Sequence, residues 1–86
     1  MSDDKDVDSV EITLKKGEEY RFEIDEKVIF TLQLKSGSAE LFGVELCMDQ
    51  IYRFTGPRKG AVYTWYGATL SSTGKTGMHY KSHYHY

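Results

Sequence analysis

Between residues 9 and 24 apolar and polar positions alternate with the period of two that marks a half-buried strand. Val10, Ile12 and Leu14 share one face of the first run; Tyr20, Phe22 and Ile24 share one face of the second, with Glu19, Arg21 and Glu23 turned outward. Lys15-Lys16-Gly17-Glu18 between them has the composition of a turn. Residues 27–34 alternate again and bring Val28, Phe30, Leu32 and Leu34 to one side. Pairing this strand with the one before it on a common face calls for a three-residue loop, Asp25-Glu26-Lys27, that sets Ile24 opposite Val28 and Phe22 opposite Phe30. A two-residue turn at Ser36-Gly37 then sets Leu34 opposite Ala39 and Leu32 opposite Leu41.

Leu41-Phe42-Gly43-Val44-Glu45-Leu46 and Trp65-Tyr66-Gly67-Ala68-Thr69-Leu70 share a pattern: an apolar residue, an aromatic, a glycine, a small residue, a polar residue and a leucine. Taking Leu41, Val44 and Leu46, and again Trp65, Ala68 and Leu70, as inward sets requires a parity switch at each aromatic–glycine pair. One extra residue at a glycine bulge or corner supplies it. The expectation is two bent strands wrapping one small core, with Trp65 inside it. Cys47-Met48-Asp49-Gln50 reads as a turn, Ile51-Tyr52-Arg53-Phe54 as a short strand, and Thr55-Gly56-Pro57-Arg58-Lys59-Gly60 as an exposed loop. Thr73-Gly74-Lys75-Thr76-Gly77 reads as a turn before a last strand at Met78-His79-Tyr80-Lys81. The pattern predicts an all-β fold, a small antiparallel β-sandwich or jelly-roll-like barrel of seven to eight short strands over residues 9–81. Residues 1–8 are expected to be an acidic disordered arm, and 82–86 a tail that is disordered or non-native.

With 86 residues the chain is one domain, burying only about 60–65% of its unfolded surface. A core of about a dozen large side chains leaves no depth for a catalytic pocket of its own. The net charge of −2 and pI near 5.9 give no basic field for phosphates, so direct nucleic-acid binding is not expected. Cys47 is the only cysteine; it excludes an internal disulfide, fits a reducing compartment and reads as a packing thiol. With no apolar leader segment and no run near the roughly 18 apolar residues of a membrane span, the expectation is a soluble, intracellular chain without a membrane.

Gly74-Lys75-Thr76 resembles the end of a phosphate loop, but Thr69 stands where the first glycine belongs, so a β-turn is expected. His79, His83 and His85 would share one face of an extended strand, a spacing that suits weak zinc or nickel binding, yet no cysteine or carboxylate nearby completes a tetrahedral set. No metal site is assigned. Arg58 and Lys59 could meet a phosphate or the face of a base, and Glu18-Glu19 could accept from a ligand amine. No nucleophile–base arrangement stands at a convincing spacing, so the residues alone describe a binding or accessory module.

Gly37-Ser38-Ala39-Glu40-Leu41-Phe42-Gly43-Val44-Glu45-Leu46, Tyr52-Arg53-Phe54 and Lys59-Gly60-Ala61-Val62-Tyr63-Thr64-Trp65-Tyr66-Gly67-Ala68 resemble the N-terminal β domain of the eukaryotic RNA 5′-hydroxyl polynucleotide kinases that are also pre-mRNA cleavage complex subunits. The resemblance runs from about Val10 to Tyr80. It implies an accessory, non-catalytic domain that packs in cis on a P-loop kinase domain and helps enclose the adenine of ATP. Magnesium, the phosphate loop and the RNA-binding groups would lie in that other domain. Carried over by position, the adenine-enclosing residues are Glu19 and Lys59, with Arg58 the alternative to Lys59. The implied partners are subunits of the pre-mRNA cleavage complex and of the tRNA splicing endonuclease, and the implied location is the nucleus. A free-standing β-sandwich that binds a peptide along a sheet edge is the alternative. It would carry a long bare edge strand and no apolar patch near Glu19 and Lys59.

Overall fold

The computed structural model describes residues 9–74 in full and residues 78–83 as backbone. The strands are β1 (Ser9–Leu14), β2 (Glu18–Ile24), β3 (Ile29–Gly37), β4 (Glu40–Leu41), β5 (Val44–Glu45), β6 (Ile51–Thr55), β7 (Arg58–Tyr63), β8 (Ala68–Thr73) and β9 (Met78–His83). They form two antiparallel sheets, a four-stranded one in the order β1-β8-β3-β6 and a five-stranded one in the order β5-β4-β7-β2-β9. The expected all-β sandwich is present, with nine strands rather than seven to eight among the described residues.

The alternation explains the core. Ile12 and Leu14, Tyr20, Phe22 and Ile24, and Phe30, Leu32 and Leu34 are all buried, because period two sends each set to one side of its strand. Burial also pushes the Tyr20 phenol above its ordinary range. Val10, at the start of β1, is half exposed.

The partners differ from those expected. β2 pairs with β7 and β9, and β3 with β6 and β8, so β2 and β3 lie in opposite sheets rather than in one hairpin. Phe22 and Phe30 do meet, but ring against ring across the sandwich, centroids 4.8 Å apart. Facing sheets impose the same inward parity as neighbouring strands do, and parity alone cannot distinguish the two.

Ser36-Gly37 closes no hairpin either. β3 continues through both residues along β8, with a register shift between Leu34 and Ser36, and the chain then crosses to the other sheet. Gly37 (φ 79°) backs onto Gly67 so tightly that a Cβ would stand 2.2 Å from the Gly67 carbonyl oxygen.

Both aromatic–glycine pairs are turns of the chain rather than bends in a strand. Leu41 pairs with Val44, so Phe42-Gly43 is a two-residue hairpin loop, and its φ values of 54° and 78° are those of a primed turn. Val44, expected inward, pairs with Leu41 and shares its face, but it stands on the edge strand β5 and is 67% exposed. At the second pair the chain leaves β7 in one sheet and enters β8 in the other. The inward residues are Val62, Thr64, Ala68 and Leu70, even positions on either side of the corner, where Tyr66 turns out to solvent at 82% exposure. Trp65, expected in the core, is 48% exposed.

Thr64 occupies the place that bulk alone would give to Trp65. It is fully buried, and its hydroxyl donates to the Ser38 carbonyl at 2.6 Å and accepts from Gly67 N–H at 2.8 Å. Its amide donates to the Glu18 carbonyl, and its carbonyl accepts from Gly17 N–H. One residue thus joins three sheet-to-sheet passages: residues 15–18, 38–39 and 64–67.

The turn over Cys47-Met48-Asp49-Gln50 forms as expected, Gln50 N–H donating to the Cys47 carbonyl. Cys47 is exposed and does not pack. The loop expected over Thr55-Gly56-Pro57-Arg58-Lys59-Gly60 shrinks to Gly56-Pro57, joined by a cis peptide bond; Thr55 ends β6, and Arg58, Lys59 and Gly60 belong to β7. β9 reaches His83, two residues into the stretch expected as tail. Residues 1–8, 75–77 and 84–86, which include the expected arm, Lys75, Thr76 and His85, lie outside the described residues.

Candidate adenine-enclosing face

The outer surface of the five-stranded sheet carries the candidate site. On β2 the outward row is Glu19, Arg21 and Glu23. On β7 the register sets Tyr63 beside Glu19, Ala61 beside Arg21 and Lys59 beside Glu23. Glu19 and Lys59 therefore occupy opposite ends of one short row, four residues or about 13 Å of strand apart. Ala61, the one small side chain of the β7 row, leaves a depression between them.

Two shallow cavities adjoin there. One, of about 390 Å³, is lined by Arg21, Glu23, Phe42, Lys59 and Ala61. The other, of about 280 Å³, is lined by Glu19, Glu40, Phe42, Ala61, Tyr63 and Trp65. Phe42, 65% exposed, stands between them at the tip of the β4–β5 hairpin. The side chain of Glu19 is only 14% exposed, and its carboxylate lies 3.7 Å from Arg21 Nε. Trp65 stacks edge-on against Tyr63, centroids 4.9 Å apart, and its indole N–H donates to Glu40 Oε2 at 3.1 Å. That bond ties the β7–β8 passage to β4.

The structure separates the two candidate cations. Lys59 lines the cavity beside Phe42. Arg58, one residue earlier, takes the opposite side of the strand, its guanidinium 5.7 Å from the centre of the Phe54 ring. Sequence reasoning missed Phe42, Ala61 and Trp65 as lining residues. The alternation alone makes Phe42 part of a bend and sends Trp65 to the core. An aromatic next to glycine between paired apolar residues was the available signal for an exposed hairpin tip.

Among the described residues no group of three or more His, Cys, Asp or Glu could hold a metal ion, and no helix is long and apolar enough to cross a membrane. His79 and His83 fall on β9. A carboxylate acceptor, a cation and exposed aromatic edges suit a flat, nitrogen-rich ligand.

The family model described as the N-terminal beta-sandwich domain of polyadenylation factor matches residues 13–85. The mRNA cleavage and polyadenylation factor clp1 of Aspergillus oryzae is 47% identical over 68 residues, 78% of this chain and 12% of that protein. Its counterpart in Aspergillus fumigatus is 49% identical over 67 residues, 77% of this chain and 12% of that protein. The chain thus spans about an eighth of the length of these curated relatives. A Clp1p chain solved in a wild-type Clp1p–Pcf11p complex superposes with a TM-score of 0.80 at 21% identity, covering 91% of this chain and 19% of that one. The same values hold for a Clp1p chain whose structure addresses the extended interface with Pcf11p and ATP loss in a point mutant. At that identity the likeness concerns the fold.

Proposed function

The chain belongs to the family of N-terminal β-sandwich domains of polyadenylation factor, and from that premise we propose that it is the ATP-enclosing accessory domain of an RNA 5′-hydroxyl kinase of the mRNA 3′-end cleavage machinery. It performs no chemistry itself. It packs in cis on a P-loop kinase domain, which holds the phosphates and magnesium, and closes over the adenine with the outer face of its five-stranded sheet. Glu19 accepts from the exocyclic amine and Lys59 lies over the ring. The proposed partners are subunits of the pre-mRNA cleavage complex and of the tRNA splicing endonuclease, and the proposed location is the nucleus.

The observation that carries this reading is the sharing of one face by Glu19 and Lys59, with Phe42 and Trp65 as an apolar rim. An exposed apolar patch beside two polar groups is what a surface shaped for a neighbouring domain and its ligand displays. A free-standing edge-binding module has no need of that patch.

The test uses a full-length protein carrying this domain. Glu19→Gln and Lys59→Ala each weaken ATP binding about tenfold, the effect of removing one charge-assisted contact. Arg58→Ala leaves it unchanged. Unaltered affinity in both of the first two variants overturns the assignment.

A further inference from the structure

We propose that Phe42 supplies the surface on which the nucleobase stacks, an inference that rests on the outer face of the five-stranded sheet being the ATP site. Three independent observations meet at this residue. The residue is 65% exposed, although an apolar side chain gains nothing from water. Its backbone lies at φ 54°, a region where Cβ crowds the following carbonyl and where primed hairpin turns ordinarily place Asn, Asp or Gly. And it lines both cavities, the one holding Glu19 and the one holding Lys59.

The first two are costs, one of solvation and one of conformation, and neither contributes to the fold. Asn at this position would remove both. Residues that retain such costs cluster where a ligand or partner repays them. The third observation indicates the partner: a planar group that reaches Glu19 with one edge and Lys59 with its face has to pass the ring that stands between the two cavities.

The hairpin is also built to hold that ring still. The Leu41–Val44 pair closes the loop directly beneath it, Leu41 is buried, and Leu46 N–H donates to the Ala39 carbonyl at 2.9 Å behind it. A two-residue loop anchored on both sides leaves the aromatic little freedom to lose on binding. Ala61, which lines both cavities as well, leaves room beneath. Trp65 stays at the margin, its indole N–H already engaged by Glu40.

The experiment compares Phe42→Asn, Phe42→Tyr and Phe42→Leu in a full-length protein carrying this domain, reading the ATP dissociation constant and the melting curve without ATP. Phe42→Asn is expected to fold with an unchanged or higher melting temperature, since Asn suits the turn, and to bind ATP roughly 5- to 150-fold more weakly, the range that loss of one base–aromatic stack produces. Phe42→Tyr keeps an affinity close to that of the parent, and Phe42→Leu loses most of it. Wild-type affinity in Phe42→Asn overturns the proposal. So does equal binding by Phe42→Leu and Phe42→Tyr, which would make the ring a docking contact between domains. If Glu19→Gln and Lys59→Ala weaken ATP while Phe42→Asn does not, the ATP face stands and Phe42 leaves it. If none of the three weakens ATP, both fail.

Discussion

Phe42-Gly43 and Tyr66-Gly67 sit in closely similar sequences and reverse the chain in different ways. The first closes a hairpin inside one sheet, at its edge, with its aromatic held over an open face. The second carries the chain from one sheet to the other, and its glycine carbonyl packs against Gly37 while its amide bonds to buried Thr64. One corner is part of the interior and the other is part of the surface. Damage at the interior corner, Tyr66-Gly67, should appear as lost stability, and damage at the surface corner, Phe42-Gly43, as lost binding.

The sharpest way to break that contrast is Gly37→Ala, which drives a methyl into the Gly67 carbonyl at 2.2 Å and adds a left-handed penalty. It should cost at least about 4 kcal/mol, enough to unfold much of a domain this small, as read by urea or thermal melting. A loss near 1 kcal/mol would mean that the two passages are not in contact. Thr64→Val keeps the volume and removes the hydroxyl that serves Ser38 and Gly67. A loss of about 2–3 kcal/mol is expected in the same assay, since both buried partners lose a bond. Gly43→Ala meets nothing within 4 Å, so only the backbone term remains, about 1 kcal/mol. A cost equal to that of Gly37→Ala would make the two corners alike. Trp65→Ala should cost least, below about 1 kcal/mol, because a half-exposed indole gives up one edge contact and one exposed hydrogen bond. A loss of about 3–5 kcal/mol would return Trp65 to the core.

The alternation was sufficient to identify the strands β1, β2 and β3 and their buried residues, because inward and outward positions depend only on the neighbours along the chain. Which strand lies beside which was not legible. Phe22 opposite Phe30 satisfies the pattern equally well in a hairpin or across a sandwich, and the choice follows from long-range register, β2 with β7 and β3 with β8. Thr64 and Trp65 show the other limit. Bulk favours burying the indole, whereas the structure buries a hydroxyl that satisfies two backbone groups at a corner; that need appears only once residues 38 and 67 are neighbours. At the candidate site, the outward row of Glu19, Arg21 and Glu23 was legible from period two. That Lys59 rather than Arg58 shares this face follows only from the pairing of Glu23 with Lys59.

β4 lies alongside only Val62 and Tyr63 of β7, so residues 58–61 have no strand beyond them on that side among the described residues. An open margin of backbone amides and carbonyls invites a stray chain to add itself as another strand, the first step toward aggregation. Here the margin is four residues long and begins with two cations, Arg58 and Lys59, that repel a like-charged newcomer and hold water. Lys59, proposed above to meet the nucleotide, would then also act as a gatekeeper, discouraging such pairing whenever the face is empty.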